Sequence, residues 1–142
     1  MTRRSVTLDI RIKRVYEKPA ESDGARVLVD RLWPRGVRKA EAAFAHWFRD
    51  VAPSDALRRW FGHEPKRWTG FQRRYADELK AADEPKEEQL AELRWLAGSG
   101  RLTLLFGARD EAHNEAVVLR DFLLAGDRIS RKKLEKDMHH GA

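Results

Sequence analysis

Two short runs, Val27-Leu28-Val29 and Leu102-Thr103-Leu104-Leu105-Phe106, are apolar or nearly so at consecutive positions. Successive side chains of a strand point to opposite faces, so an unbroken apolar run implies a strand covered on both sides. Strands of parallel sheets have this character, because other structure packs over both faces. A third segment reads differently. Leu8, Ile10 and Ile12 alternate with Asp9, Arg11 and Lys13, the period-two pattern of a strand with one face in water.

Four helical segments are expected between the two buried strands. The first places Ala40, Ala43, Phe44, Trp47, Phe48 and Val51 at three-and-four spacing, which gives one apolar face. Pro53-Ser54-Asp55 marks the start of the second, with Ser54 as N-cap and Asp55 beside the positive end of the helix dipole. A longer helix begins near Glu64-Pro65 and aligns Trp68, Phe71, Tyr75, Leu79 and Ala82. Pro85 opens the fourth, which carries Leu90, Leu93 and Leu96 before Gly98 ends it. Beyond the last strand, Asp110 caps a helix through Ala116, Val117, Leu119 and Leu123. Strands separated by helices predict an α/β fold: a small, mainly parallel sheet of three strands or slightly more, with helices packed on it. The turn-rich join Lys18–Gly24 sits in a link of only about ten residues, near the lower limit for a parallel crossover. Parallel and antiparallel pairing of the first two strands both stay open at this point.

The 142 residues suit one domain, read as 1–126, followed by a basic polar tail over 127–142. A composition 42% hydrophobic and 37% charged excludes a disordered chain. No apolar run approaches the roughly 20 residues of a membrane helix, and the N-terminal segment lacks a signal-peptide pattern. With no cysteine, disulfides and thiolate chemistry are excluded, and a cytoplasmic location is the expectation. Lys and Arg number 29 against 23 Asp and Glu. That excess favours anionic partners, but it supports nucleic acid only weakly, since it forms no concentrated stripe.

Neither a dinucleotide fingerprint nor a P-loop is present; Gly98-Ser99-Gly100 lacks the lysine and precedes a strand. The histidines at 46, 63, 113, 139 and 140 have no metal-ligand spacing, so no metal is expected, and no pattern names a cofactor or an oligomeric state. Ser54 is explained by its cap, and Trp47, Trp60, Trp68 and Trp95 are read as core.

The run Asp30-Arg31-Leu32-Trp33-Pro34-Arg35-Gly36 follows a buried strand directly. Ligands of open α/β sheets collect at the carboxyl ends of strands. Arg31 and Arg35 suit bidentate recognition of phosphate or carboxylate, and Trp33 offers a stacking face. Pro34 and Gly36 set the loop path, and Gly36 would allow a close approach. The opposing interpretation is an Asp30–Arg31 or Asp30–Arg35 ion pair that only orders the loop. A second cluster, Gly107-Ala108-Arg109-Asp110 with Asn114, leaves the last strand toward a helix N-terminus, a natural anion site. Asp30 and Asp110 would share a rim if the strands are parallel, and two carboxylates there can split into acid and base. Leu57-Arg58-Arg59-Trp60-Phe61-Gly62-His63 is the third cluster, with His63 as an acid–base candidate and Arg58 as a ligand contact.

These residues resemble a known family. Val27 to Gly36, Ala52-Pro53-Ser54, Leu57-Arg58, Trp60 to His63, Trp68, Phe71, Tyr75, Glu78-Leu79, Thr103 to Phe106, Ala108, Asp110 and Asn114 together are similar to the YeaO-like branch of domain of unknown function 488. The resemblance covers roughly residues 8 to 124. It implies an α/β domain of parallel character, and it carries over no reaction and no catalytic residues. The expectation is a protein that binds an anionic, phosphate-bearing small molecule at the strand rim, whether or not it turns it over. The rivals are a nucleic-acid-binding accessory protein and a module that binds a protein partner.

Overall fold

A computed structural model describes residues 8–39 and 42–126. Strands β1 (Ile10–Arg14), β2 (Ala25–Leu28), β3 (His46–Trp47) and β4 (Leu102–Phe106) form one sheet in the order β1-β4-β2-β3, and every pairing is parallel. The helices are α1 (Asp55–Phe61), α2 (Trp68–Lys80), α3 (Lys86–Ser99) and α4 (residues 115–126). The question left open for the first two strands is answered in an unexpected way. They are not neighbours at all: β4 lies between them and is parallel to both. A hairpin joins adjacent strands, so the short link crosses over β4 instead.

Register assigns the two faces. Ile10 pairs with Leu102, Ile12 with Leu104 and Val27 with Leu104. This face is continuous with Phe71, Tyr75, Leu79, Leu90, Leu93, Leu119 and Leu123 in a single core. The opposite face presents Lys13, Arg26, Leu28, Thr103 and Leu105, and irregular chain covers it instead of helices. Asp23 anchors that cover: its carboxylate accepts from Lys13 Nζ at 3.0 Å and from Arg26, and its carbonyl accepts from Thr103 Oγ1 at 2.6 Å. Handedness explains the division. Steps β1→β2 and β2→β3 run one way along the sheet and β3→β4 runs back, so crossovers of one hand must place the return on the other face.

Sequence expectation and structure part company at four places. Where one apolar helix was expected across residues 40–51, the described part holds the short strand β3 and, after Phe48, a single 3-10 turn at Arg49–Val51. His46 and Trp47 pair with Val27 and Leu28, and Ala45 and Phe48 donate to the carbonyls of Arg26 and Leu28 at 2.9 Å. The three-residue spacing of Phe44 and Trp47 is met by a single ring: both pack on Trp33, at 5.5 and 5.3 Å between centroids. Gly98 does not end its helix; α3 runs to Ser99. Of the tryptophans read as core, Trp60 and Trp68 pack against it only partly buried, Trp47 sits among the loops of the other face, and Trp95 is 66% exposed on α3. The last helix is capped by Asn114 and not by Asp110, because Asn114 Oδ1 accepts from the backbone N–H groups of Ala116 and Val117. The starts of the second and third helices fall where expected, with Ser54 Oγ accepting from Leu57 N. The basic tail and His139-His140 lie outside the described residues.

Candidate functional site

Because β2 and β4 are adjacent and parallel, their carboxyl ends open on the same edge of the sheet. The two loops that follow, beginning at Asp30 and at Gly107, face each other there. Between them lies a cavity of about 330 Å³, closed from the helical side by Arg58, Phe61 and Phe71. Asp30 is one of its walls. Its Oδ2 accepts from the Gly107 N–H at 2.9 Å, and its carbonyl accepts from Trp47 Nε1 at 2.7 Å. A Cβ on Gly107 would stand 3.0 Å from that carboxylate oxygen, so glycine is what lets the strand end close on Asp30.

Glu115, the first residue of α4, lines the same cavity as Asp30, and the two carboxyl groups interact. Its Oε2 is shut off from solvent and has no donor. Burial first, and then the Asp30 charge, pushes the Glu115 carboxyl well above the usual carboxylate range; burial also raises Asp30. Two such acids titrate as a pair, and both are shifted toward the protonated form.

Above this acid pair stand three arginines, Arg31, Arg35 and Arg58, all lining the cavity. Among the described residues, Asp30 forms no ion pair with Arg31 or Arg35. Arg31 instead donates to Pro53 O at 3.1 Å and lies 3.8 Å from Asp55, which also holds Arg58 at 3.0 Å. Arg35 is fixed through its backbone: its carbonyl accepts from Tyr16 Oη at 2.8 Å. A shallower hollow adjoins the cavity across Tyr16, Arg35 and Gly107, and Arg14 and Arg109 complete its wall.

The remaining expected residues are placed as follows. Asp110 follows β4 at the same edge of the sheet but is not among the residues that line the cavity. It accepts from the N–H groups of Ala112 and His113 and pairs with His113 Nδ1 at 2.9 Å, and this bond to His113 holds its pKa below the ordinary value. It thereby orients His113, which does line the cavity. His63 also lines it, from a left-handed backbone (φ 58°). Asn114 lines the wall at 1% exposure, but its side chain is committed at both ends: Oδ1 caps α4 and Nδ2 donates to Asp110 O. Trp33 donates from Nε1 to Val37 O and packs on Phe44 and Trp47, so most of its ring orders the loop. Gly36 lies off the cavity. Its φ of 81° calls for glycine, whereas a Cβ there would meet nothing within 4 Å. Sequence reasoning missed Glu115, His113 and Tyr16. An acid at the first position of a helix looks like an ordinary complement to the dipole, and only the partner across the cavity makes Glu115 unusual. Among the described residues, no three His, Asp or Glu side chains gather as metal ligands.

A family model described as the "Inactive DUF488-N3 subclade" matches residues 9–139. The chain belongs to the DUF488 family. Among its relatives, an uncharacterized protein of Mycobacterium tuberculosis is 43% identical over 114 residues, covering 80% of this chain and 92% of the relative. The uncharacterized protein YeaO of Escherichia coli is 40% identical over 116 residues, 82% of this chain and 97% of its own. No solved structure matches. In this DUF488 chain, the stretch from Asp30 to Arg35, part of the segment on which the resemblance rests, lines the cavity.

Proposed function

We propose that this protein binds a phosphate-bearing small molecule in the cavity at the carboxyl ends of β2 and β4. One observation carries the reading: Arg31, Arg35 and Arg58 line a single cavity whose two acids, Asp30 and Glu115, are both shifted toward the protonated form. That shift lowers the negative charge facing the three arginines, and guanidinium groups bind phosphate in planar, bidentate fashion. Phe61, Phe71, Pro34 and Pro53 supply the apolar wall that small-molecule sites have. The description of the matching subclade as inactive favours binding without turnover.

Arg35 is the residue to test, since its guanidinium has no hydrogen-bond or ion-pair partner among the described residues and its loop is tied through the backbone. Arg35→Ala should therefore keep the fold and lose the ligand. A ligand at 100 times its Kd adds ~2.7 kcal/mol, a rise in Tm of roughly 2–8 °C for a domain of this size. A thermal-shift panel of phosphate, sugar phosphates, nucleotides and short oligonucleotides at two salt concentrations reads this out. A salt-tolerant shift with a small phosphate compound, absent in Arg35→Ala, is expected. A shift confined to oligonucleotides and lost as salt rises would instead indicate counterion release at a nucleic-acid surface.

A further inference from the structure

We infer that the anion is the phosphate of a polyhydroxylated molecule, whose vicinal hydroxyls are held by the Asp30–Glu115 pair while the arginines hold its phosphate. The inference rests on the phosphate-binding reading above and adds the class of ligand to it. Phosphate alone would use only the cationic part of the cavity. The acids would then be an unexplained cost, because a carboxyl beside an anion site opposes binding whenever it is charged.

The pair has the properties that a diol requires. Each hydroxyl offers one donor and two acceptor lone pairs, so two adjacent hydroxyls need a surface that both accepts and donates. Two ordinary carboxylates only accept. With one proton shared, as the raised pKa values of both acids favour, Asp30 and Glu115 do both, and both line the cavity together with the arginines. Their surroundings fit as well. Asp30 Oδ2 is already satisfied by Gly107 N, which fixes the carboxyl plane, whereas Glu115 Oε2 is buried with no donor among the described residues. The Arg58 charge acts on both acids, so phosphate and hydroxyl sites lie in one electrostatic unit. The apolar walls from Phe61 and Phe71 suit the carbon skeleton between them.

The test is titration calorimetry on the full chain with inorganic phosphate, ribose 5-phosphate, 2-deoxyribose 5-phosphate and phosphoethanolamine. Hydrogen bonds to a charged partner predict that ribose 5-phosphate binds about tenfold or more tightly than its deoxy analogue. That preference should vanish in Glu115→Ala and survive in Glu115→Gln, whose amide still donates and accepts. Equal affinity for the two sugars in the parent protein would overturn the inference, even if Glu115→Ala failed to fold. So would a preference for phosphoethanolamine, because the pair would then be acting as a dianion toward an ammonium group. Binding of inorganic phosphate separates the two levels. If phosphate binds and the sugars are not distinguished, only the ligand class is wrong; if no phosphate compound binds, the underlying reading falls as well.

Discussion

Glu115 shows how a residue's chemistry depends on what it meets. At the first position of a helix a glutamate is ordinarily stabilising and charged, but here burial and Asp30 push its pKa up. The sign of the consequence follows from linkage. The folded chain keeps a proton on Glu115 that the unfolded chain has released, once pH exceeds the ordinary value of 4.5. Stability from this group is therefore full below pH 4.5 and falls as pH rises toward the folded pKa. Glu115→Gln removes the titration, so the variant should unfold at higher temperature than the parent at pH 8, with the gap closing toward pH 4. Melting curves across that range check it, and a constant gap would mean that Glu115 is not the titrating group. The location of the site was legible from Asp30, Arg31 and Arg35, whose position after a buried run is a sequence fact. The acid partner was not, because it required knowing which face of α4 turns toward β2.

At the level of elements, the link from β1 to β2 has the most to explain. About ten residues cross over β4 with one 3-10 turn (Glu21–Asp23) and no α-helix, and Asp23 is what holds them. Its carboxylate is buried, which by itself would raise its pKa. The Ala20 N–H, Lys13 and Arg26 outweigh that and bring the net shift below the ordinary value. Asp23→Ala leaves Lys13 and Arg26 in place with their partner gone, a change that costs ~3–5 kcal/mol when a buried pair is broken. Denaturant unfolding should show a loss of at least ~2 kcal/mol at pH 7 once partial exposure is allowed for; a loss below ~0.5 kcal/mol would show that the crossover is held some other way. Local patterning read the two inner strands and the capped helices correctly, since Ser54 and Pro85 act within a few residues of themselves. It misread residues 42–51 because the spacing of Phe44 and Trp47 satisfies a helix face and a single indole equally well. Only the open edge of β2, a long-range partner, decides between them.

For the whole molecule, topology makes the site. The reversal from β3 to β4 places β4 between β1 and β2, which brings Gly107 against Asp30 and stands the acids and arginines around one opening. Parallel character was readable from the apolar runs, whereas the strand order was not, because no local signal says where the last strand inserts. Placing the ligand within this frame is the most direct test of the account. Amide NMR shifts of the ¹⁵N-labelled chain, followed during titration with inorganic phosphate, do that without presupposing the full ligand. The predicted result is saturable movement of Arg31, Arg35, Gly107 and Glu115 with the outer face of α3 unmoved. Movement concentrated instead on the exposed basic residues of α2 or on residues 127–142, with Gly107 and Glu115 unmoved, would contradict it.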